Sequence, residues 1–216
     1  MTQTKAFFFI VFAMCVVVTV SNILVQYPFC FFGLEHVLTY GAFIYPFAFL
    51  INDLTNRRFG QEMARRVVYV GFFAGLVASW WLASPRFAIA SGSAFLFSQL
   101  LNIAVFTPLQ RKSWWKAPFA AAAIGSFFDT VLFFSIAFAA LFGFIDVMAS
   151  RPDQSIFDYI EIFSLPVPLW LSLGVGDFLV KITMALFMLI PYGVIFVFFM
   201  PIVHIPQKSN ASSCEE

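Results

Sequence analysis

Asp177 and Lys181 lie four residues apart within an almost unbroken apolar run, residues 165–205. Four residues make about one turn of an α-helix, so the two charges share a face and can pair. A charge at bilayer depth costs about 3 kcal/mol on insertion scales, so such residues tend to face protein interiors and carry function. The pair therefore indicates either a site for polar solutes or a structural ion pair that holds helices together.

Acidic residues also occur in two other apolar segments. Asp129 lies within residues 117–144, and no basic residue stands within one helical turn of it. Ser126 precedes Asp129 by three positions and therefore shares its helical face. Asp53 closes an earlier apolar run, where an interfacial pair with Arg57 is the structural alternative. We expect Asp129 to be a primary acid that binds a substrate or a proton.

Amide and hydroxyl side chains accompany these charges in the apolar segments. Amides and carboxylates that converge from several helices, between apolar walls, suit a planar heterocycle. A single Asn or Gln within a membrane equally serves as a hydrogen bond between helices. The predicted substrate-binding set comprises Asn22, Gln26, Tyr45, Asp53, Gln99, Asn102, Ser126, Asp129, Asp177 and Lys181.

The composition bounds the class of protein. Of 216 residues, 62% are hydrophobic and 11% are charged, whereas soluble domains carry about 25% charged residues. The net charge is +1 and no basic stripe exists, which argues against a nucleic-acid partner. The three cysteines are scattered and fit no metal spacing. We predict an integral membrane protein with no metal and no cofactor, whose surroundings are the lipid bilayer.

Motifs for catalysis are missing from the sequence. The two histidines, His36 and His204, stand at the ends of apolar segments rather than at depth. No G-x-x-x-x-G-K-[ST] loop occurs, so ATP is not bound in that manner. We therefore predict that the protein is not an enzyme.

The apolar segments predict an all-α, polytopic membrane protein with six transmembrane helices in one compact bundle. The six spans are residues 7–26, 38–54, 67–83, 87–106, 118–144 and 170–203. Pro46 and Pro191 are expected to break or kink spans two and six. Helical spacing of apolar residues in the long loop 145–169 predicts an interfacial helix. We assign residues 1–206 to a membrane transport domain and residues 207–216 to a disordered cytoplasmic tail.

The basic residues predict the orientation of the chain. Nine of the twelve Lys and Arg residues lie at the termini or in the loops after spans two and four. The opposite loops contain only Arg86 and Arg151. The positive-inside rule therefore places both termini in the cytoplasm.

Several sequence blocks together resemble the queuosine precursor transporter family of vitamin-uptake-transporter-like membrane proteins. The blocks are residues 21–26 with 28–29, residues 45–50 leading into 53–57, residues 59–60 and 64–66, Gln99, residues 125–138, and Asp177 and Lys181 followed by Pro191. The resemblance extends over residues 18–192. It implies import of 7-cyano-7-deazaguanine or its 7-aminomethyl relative across the bacterial inner membrane, for making queuosine in transfer RNA. The family often carries Asp where this chain has Asn102.

The implied substrate matches the predicted residues chemically. A deazaguanine presents two adjacent N–H donors that one carboxylate can accept, and its carbonyl would face Lys181, Gln99 or Asn102. The first interpretation is a secondary importer, driven by protons or by metabolic trapping. The alternatives are a substrate-capture subunit that needs a separate ATPase complex, and a structural membrane protein without transport. The preferred deazapurine, the energy source and homo-oligomer formation stay open at this stage.

Overall fold

The computed structural model describes residues 3–25, 27–30, 38–82, 85–138, 144, 159–162 and 165–199. Its helices are α1 Gln3–Leu24, α2 Gly41–Ile44, α3 Pro46–Phe59, α4 Gln61–Leu82, α5 Pro85–Leu109, α6 Lys116–Phe138 and α7 Leu169–Phe199. Strands β1 Tyr159–Ile162 and β2 Leu165–Pro168 form an antiparallel hairpin before α7. The predicted boundary between residues 206 and 207 lies outside the described residues.

The long helices have the character of membrane spans. Four described segments are long and apolar enough to cross a bilayer, namely Thr4–Leu24, Pro85–Leu109, Lys116–Phe138 and Trp170–Val197. Large apolar side chains on these helices, such as Phe8 and Phe187, are more than half exposed, as expected for contact with lipid. The prediction of a helical, multi-pass membrane protein is confirmed, and the number of six spans stays a prediction.

The hairpin corrects the predicted interfacial helix in the loop before α7. Ile160 lies in β1 and pairs with Val167 of β2. Pro166 and Pro168 have no backbone N–H to donate and favour extended backbone, so this segment forms a strand rather than a helical turn. The preceding residues of that loop, including Ile156 and Phe157, lie outside the described residues.

The second predicted span is broken at Tyr45. Helix α2 ends at Ile44 and α3 begins at Pro46. The break expected at Pro46 is therefore observed, because proline lacks the N–H of an interior helical residue but fits the first turn. Pro191 behaves differently, since α7 continues through it without ending. The break places Tyr45 at a joint between two helical segments.

Helix α4 packs closely on α1 through Gly71 and Gly75, a small-x-x-x-small pattern. A Cβ atom at Gly71 would lie 2.8 Å from Cγ of Met14, and one at Gly75 would lie 2.5 Å from Cγ1 of Val18. A side chain at either position therefore requires Met14, Val18 or the helices themselves to move. The two glycines therefore set the distance between these helices.

Substituting Gly75→Leu should destabilise the protein by about 1–3 kcal/mol or more, because overpacking forces helices apart. The measurement is the midpoint of thermal unfolding in detergent. Val77→Leu on the exposed face of α4 is the matched control and should leave the midpoint unchanged. Equal midpoints for the two variants would contradict the close contact between α1 and α4.

Arg86 fastens α5 to α6. Its side chain is 1% exposed, and Nε donates a hydrogen bond to the carbonyl oxygen of Ile136 at 3.1 Å. The sequence placed this arginine in a loop, yet it lies at the start of α5. The contact joins two of the helices that contribute buried polar groups to the site described next.

Candidate substrate-binding site

Lys181 joins two carboxylates within the helices. Its Nζ lies 2.7 Å from Oδ2 of Asp129 on α6 and 2.5 Å from Oδ2 of Asp177 on α7. The side chains of Lys181 and Asp129 are each 6% exposed, and that of Asp177 is 17% exposed. The pairing expected from the four-residue spacing is thus present, with a second acid added. When all three groups are ionised, one negative charge is left unbalanced.

Asp129 has protein partners on both carboxylate oxygens. The Tyr45 hydroxyl donates to Oδ1 at 2.7 Å, and the Ser98 hydroxyl donates to the same atom at 3.1 Å. Lys181 takes Oδ2. No basic residue stands within one helical turn of Asp129, and its basic partner lies on another helix, 52 positions away. Spacing within one helix cannot show such a contact.

Asp177 is the more accessible of the two acids. Both of its described hydrogen bonds, from Lys181 and from the Thr130 hydroxyl at 2.8 Å, end on Oδ2. This arrangement leaves Oδ1 to accept hydrogen bonds from a ligand. Nζ of Lys181 also lies 4.8 Å from the centre of the Tyr45 ring, a distance that permits a cation–π interaction.

The three charged groups line a cavity of about 400 Å³. Asn22 and Tyr45 also line it, together with the hydroxyls of Ser21, Ser79 and Ser91. Phe87, Phe133, Phe134 and Phe138 form apolar walls. Sites for small molecules are typically about 300–1,000 Å³ in volume, with apolar walls and a few polar groups. The cavity can therefore hold a small planar molecule beside buried charges.

Asn22 forms hydrogen bonds between helices and also lines the cavity. Its Nδ2 donates to the carbonyl oxygen of Gly75 at 3.3 Å, and its Oδ1 accepts from Ser91 at 2.9 Å. These contacts connect α1 with α4 and α5. The same side chain lines the cavity, so a structural and a binding role coexist.

The ten predicted site residues do not meet in one place. Five line the cavity, namely Asn22, Tyr45, Asp129, Asp177 and Lys181. Asp53 and Ser126 line a separate small space of about 20 Å³, which Lys181 also borders. Gln26 lies outside the described residues. Oδ1 of Asp53 and two guanidinium nitrogens of Arg57 have no hydrogen-bond partner among the described residues. Arg57 still acts electrostatically on the Asp53 carboxyl, so the alternative of a structural pair between them stays open.

Gln99 and Asn102 point toward α3 instead of the cavity. Asn52 donates from Nδ2 to Oε1 of Gln99 at 2.7 Å and approaches Oδ1 of Asn102 at 3.4 Å. All three side chains are completely buried. The shared face expected from their three-residue spacing is present, but that face packs on α3.

Ser98 and Thr130 form hydrogen bonds with the acids of the site, although the sequence analysis did not assign either residue to it. Each hydroxyl holds one of the two acids, Asp129 or Asp177. The only signal in the sequence is their position next to Gln99 and Asp129 in apolar segments. Their roles depend on how α5, α6 and α7 pack, which no local pattern reveals.

Apolar helices around a cavity with buried charges are typical of multi-pass membrane proteins that bind polar solutes. A family model described as "Putative vitamin uptake transporter" matches residues 39–84 and 77–195. The chain therefore belongs to this family. The match confirms the resemblance found in the sequence blocks.

Three relatives are similar to this chain over most of its length. The "Queuosine precursor transporter" of Escherichia coli (strain K12) is 30% identical over 88% of this chain and 86% of the relative. A "Probable queuosine precursor transporter" of Haemophilus influenzae is 32% identical over 73% of this chain and 68% of the relative. One of the same description from Bacillus subtilis (strain 168) is 24% identical over 75% and 72%. No solved structure matches the chain significantly.

Proposed function

We propose that this protein imports the queuosine precursors 7-cyano-7-deazaguanine and 7-aminomethyl-7-deazaguanine across the bacterial inner membrane, as a secondary transporter. The names of its relatives support the substrate class. The observation that carries the proposal is Lys181 bridging Asp129 and Asp177 on the wall of a cavity of about 400 Å³. Buried charges of this kind are costly in a membrane and mark substrate paths.

The geometry supports a division of labour between the two acids. Asp129 is held by Tyr45, Ser98 and Lys181, so its role is to position Lys181. Oδ1 of Asp177 accepts hydrogen bonds from the two adjacent N–H groups of a deazaguanine. Lys181 lines the same cavity and donates to the carbonyl of the bound base.

The function is tested in a bacterial host that cannot take up either precursor. Expression of the protein should restore queuosine in transfer RNA when the host is fed each deazapurine. Asp177→Asn, expressed at the same level, should fail to do so. Unrestored queuosine with normal membrane expression would overturn the proposal.

A second assay separates secondary transport from the alternative of a substrate-capture subunit. The purified protein alone, in liposomes, should accumulate a labelled deazapurine inside the vesicles. A protein that binds the compound but moves it only after addition of an ATPase complex would favour the alternative. A structural membrane protein would do neither.

The negative charge that Lys181 leaves unbalanced should create a preference between the two precursors. The 7-aminomethyl compound carries an amine that is protonated at neutral pH, whereas the 7-cyano compound is uncharged. We expect the amine to bind more tightly by about tenfold, equivalent to 1.4 kcal/mol. Calorimetry on the purified protein measures both dissociation constants, and Asp177→Asn should remove the preference. Equal affinities in the unaltered protein would contradict this charge effect.

For the membrane topology we propose six spans within residues 1–206, with α2 and α3 together making the second and α4 the third. The exposed basic residues at the end of α3 and at the start of α4 then face the cytoplasm. Reporter fusions at Gln207 and Pro152 should report opposite sides of the membrane. Signals from the same side would exclude this topology.

A further inference from the structure

Unpartnered buried polar atoms concentrate in one region, on residues that do not line the cavity. In the described part of the chain, eight such side-chain atoms have no hydrogen-bond partner. They belong to residues of α3, α5 and α7, namely Asn52, Asp53, Asn56, Arg57, Gln99, Asn102 and Tyr192. We refer to these seven residues as the inner polar cluster. Buried polar groups in native proteins nearly always have hydrogen-bond partners, so we expect water or a ligand to bind to this cluster.

The chemistry of the unpartnered atoms limits what can satisfy them. Within hydrogen-bond distance, the Oδ1 atoms of Asn52, Asp53 and Asn56 have no donor, and N–H groups of Gln99 and Asn102 have no acceptor. Asn102 still interacts with the Asp53 carboxyl, and Arg57 with the Tyr192 hydroxyl, so the groups of the cluster act on one another. A metal ion satisfies only oxygen atoms, and an anion satisfies only N–H groups. Water satisfies both kinds, as does a planar heterocycle with adjacent donor and acceptor atoms.

The inner polar cluster lies directly behind the substrate cavity. Lys181 lines the cavity on one side and, on the other, the small space that Asp53 and Tyr192 also line. From Asp53 the cluster continues along α3 to Asn56, whose Nδ2 donates to the Thr107 hydroxyl at 3.1 Å. This contact shows that the ends of α3 and α5 lie together, close along the chain to the basic residues at the start of α4 and in the segment after α5.

Arg57 closes the far end of the cluster. Its guanidinium carbon lies 5.4 Å from the ring centre of Phe106, 5.6 Å from that of Tyr192 and 4.9 Å from that of Phe196. Three aromatic rings from α5 and α7 thus hold a cation that has no ion-pair partner among the described residues. A guanidinium suits such stacking better than an ammonium does.

We propose that the inner polar cluster is a hydrated transit site, through which the deazapurine leaves the cavity toward the basic end, and that Arg57 is its gate. The proposal rests on the proposed function and extends it from binding to release. Movement of Arg57 off the three rings opens the route. Water, and then the donor and acceptor edge of the substrate, supplies the partners that the buried atoms lack.

Cysteine labelling tests whether water reaches the cluster. The native Cys15, Cys30 and Cys214 are replaced by Ala, and Asn102→Cys is introduced with Arg57 intact or with Arg57→Gln. The matched control is Ile103→Cys, since Ile103 is adjacent, 1% exposed and part of the apolar core. The measurement is the labelling rate with a small water-soluble methanethiosulfonate reagent on the protein in liposomes.

We expect Arg57→Gln to speed labelling at Asn102→Cys by about tenfold or more and to leave Ile103→Cys slow. Arg57→Lys, which retains the charge but not the planar group, should act in the same direction. The proposal is overturned if Asn102→Cys stays as slow as Ile103→Cys in all backgrounds. An equal increase at both cysteines would also overturn it, because it would indicate general loosening.

Substrate protection then tests the transit role. In the Arg57→Gln background, 7-aminomethyl-7-deazaguanine should slow labelling at Asn102→Cys, and this requires that calorimetry shows binding. Binding without protection would overturn the transit role. Absence of any binding would instead count against the proposed function, while the contrast in labelling rates would still decide whether a gated, hydrated path exists.

Discussion

Lys181→Met should give a protein that is scarce in the membrane and inactive in uptake. The substitution leaves the carboxylates of Asp129 and Asp177 close together in a largely buried position without their shared cation. Losing one partner of a buried ion pair costs about 3–5 kcal/mol. The measurements are abundance in the membrane, the midpoint of thermal unfolding in detergent and uptake of a labelled deazapurine.

A rescue series separates folding from transport. Asp177→Leu with Lys181→Met still leaves Asp129 ionisable and without a cation, so abundance should recover only in part. Adding Asp129→Asn removes the last of the three coupled charges, and abundance should approach that of the unaltered protein, because buried charges replaced together are often neutral for stability. None of these variants should transport.

Thr183→Val, on the exposed side of α7, is the control and should retain both abundance and uptake. A charge-free triple variant that transports normally would show that the three charged residues serve packing alone. A Lys181→Met variant of full stability would show that the two acids do not depend on Lys181.

Local periodicity was sufficient to predict the long apolar helices and the pairing within α7, but not the hairpin before α7. The run of apolar residues around Asp177 and Lys181 predicts a spanning helix, and four-residue spacing predicts their contact. Pro46 likewise predicts the break at Tyr45. Each of these inferences concerns residues that are close in sequence, where the geometry of one helix determines the result.

Contacts between helices could not be predicted in this way. Spacing shows that Gln99 and Asn102 share a face, but only packing decides that this face meets Asn52 rather than the cavity. The bridge from Asp129 to Lys181 depends on the same packing, as does the hydroxyl of Thr130 on Asp177. The sequence therefore indicated most of the residue types in the site but not which of them would meet.

Asp129→Asn should abolish uptake and leave abundance in the membrane near that of the unaltered protein. The amide still offers an oxygen to Tyr45 and Ser98, and Lys181 keeps Asp177 as a one-to-one partner. Folding is preserved because no charge is left alone. Lys181 then neutralises Asp177 completely, so the carboxylate binds a substrate N–H more weakly, and a hydrogen bond to a charged group contributes about 1.5–3 kcal/mol.

The comparison that isolates the charge is Ser98→Ala, which removes one hydrogen bond to Asp129 but retains both carboxylates. A neutral hydrogen bond contributes about 1 kcal/mol, so this variant should lose only a few-fold in uptake. Asp129→Asn should lose at least tenfold more than Ser98→Ala at equal abundance. Uptake by Asp129→Asn at the unaltered rate between about pH 5 and 8, where carboxylates are ordinarily ionised, would show that Asp129 only supports the helices. Substrate recognition would then depend on Asp177 and Lys181 alone.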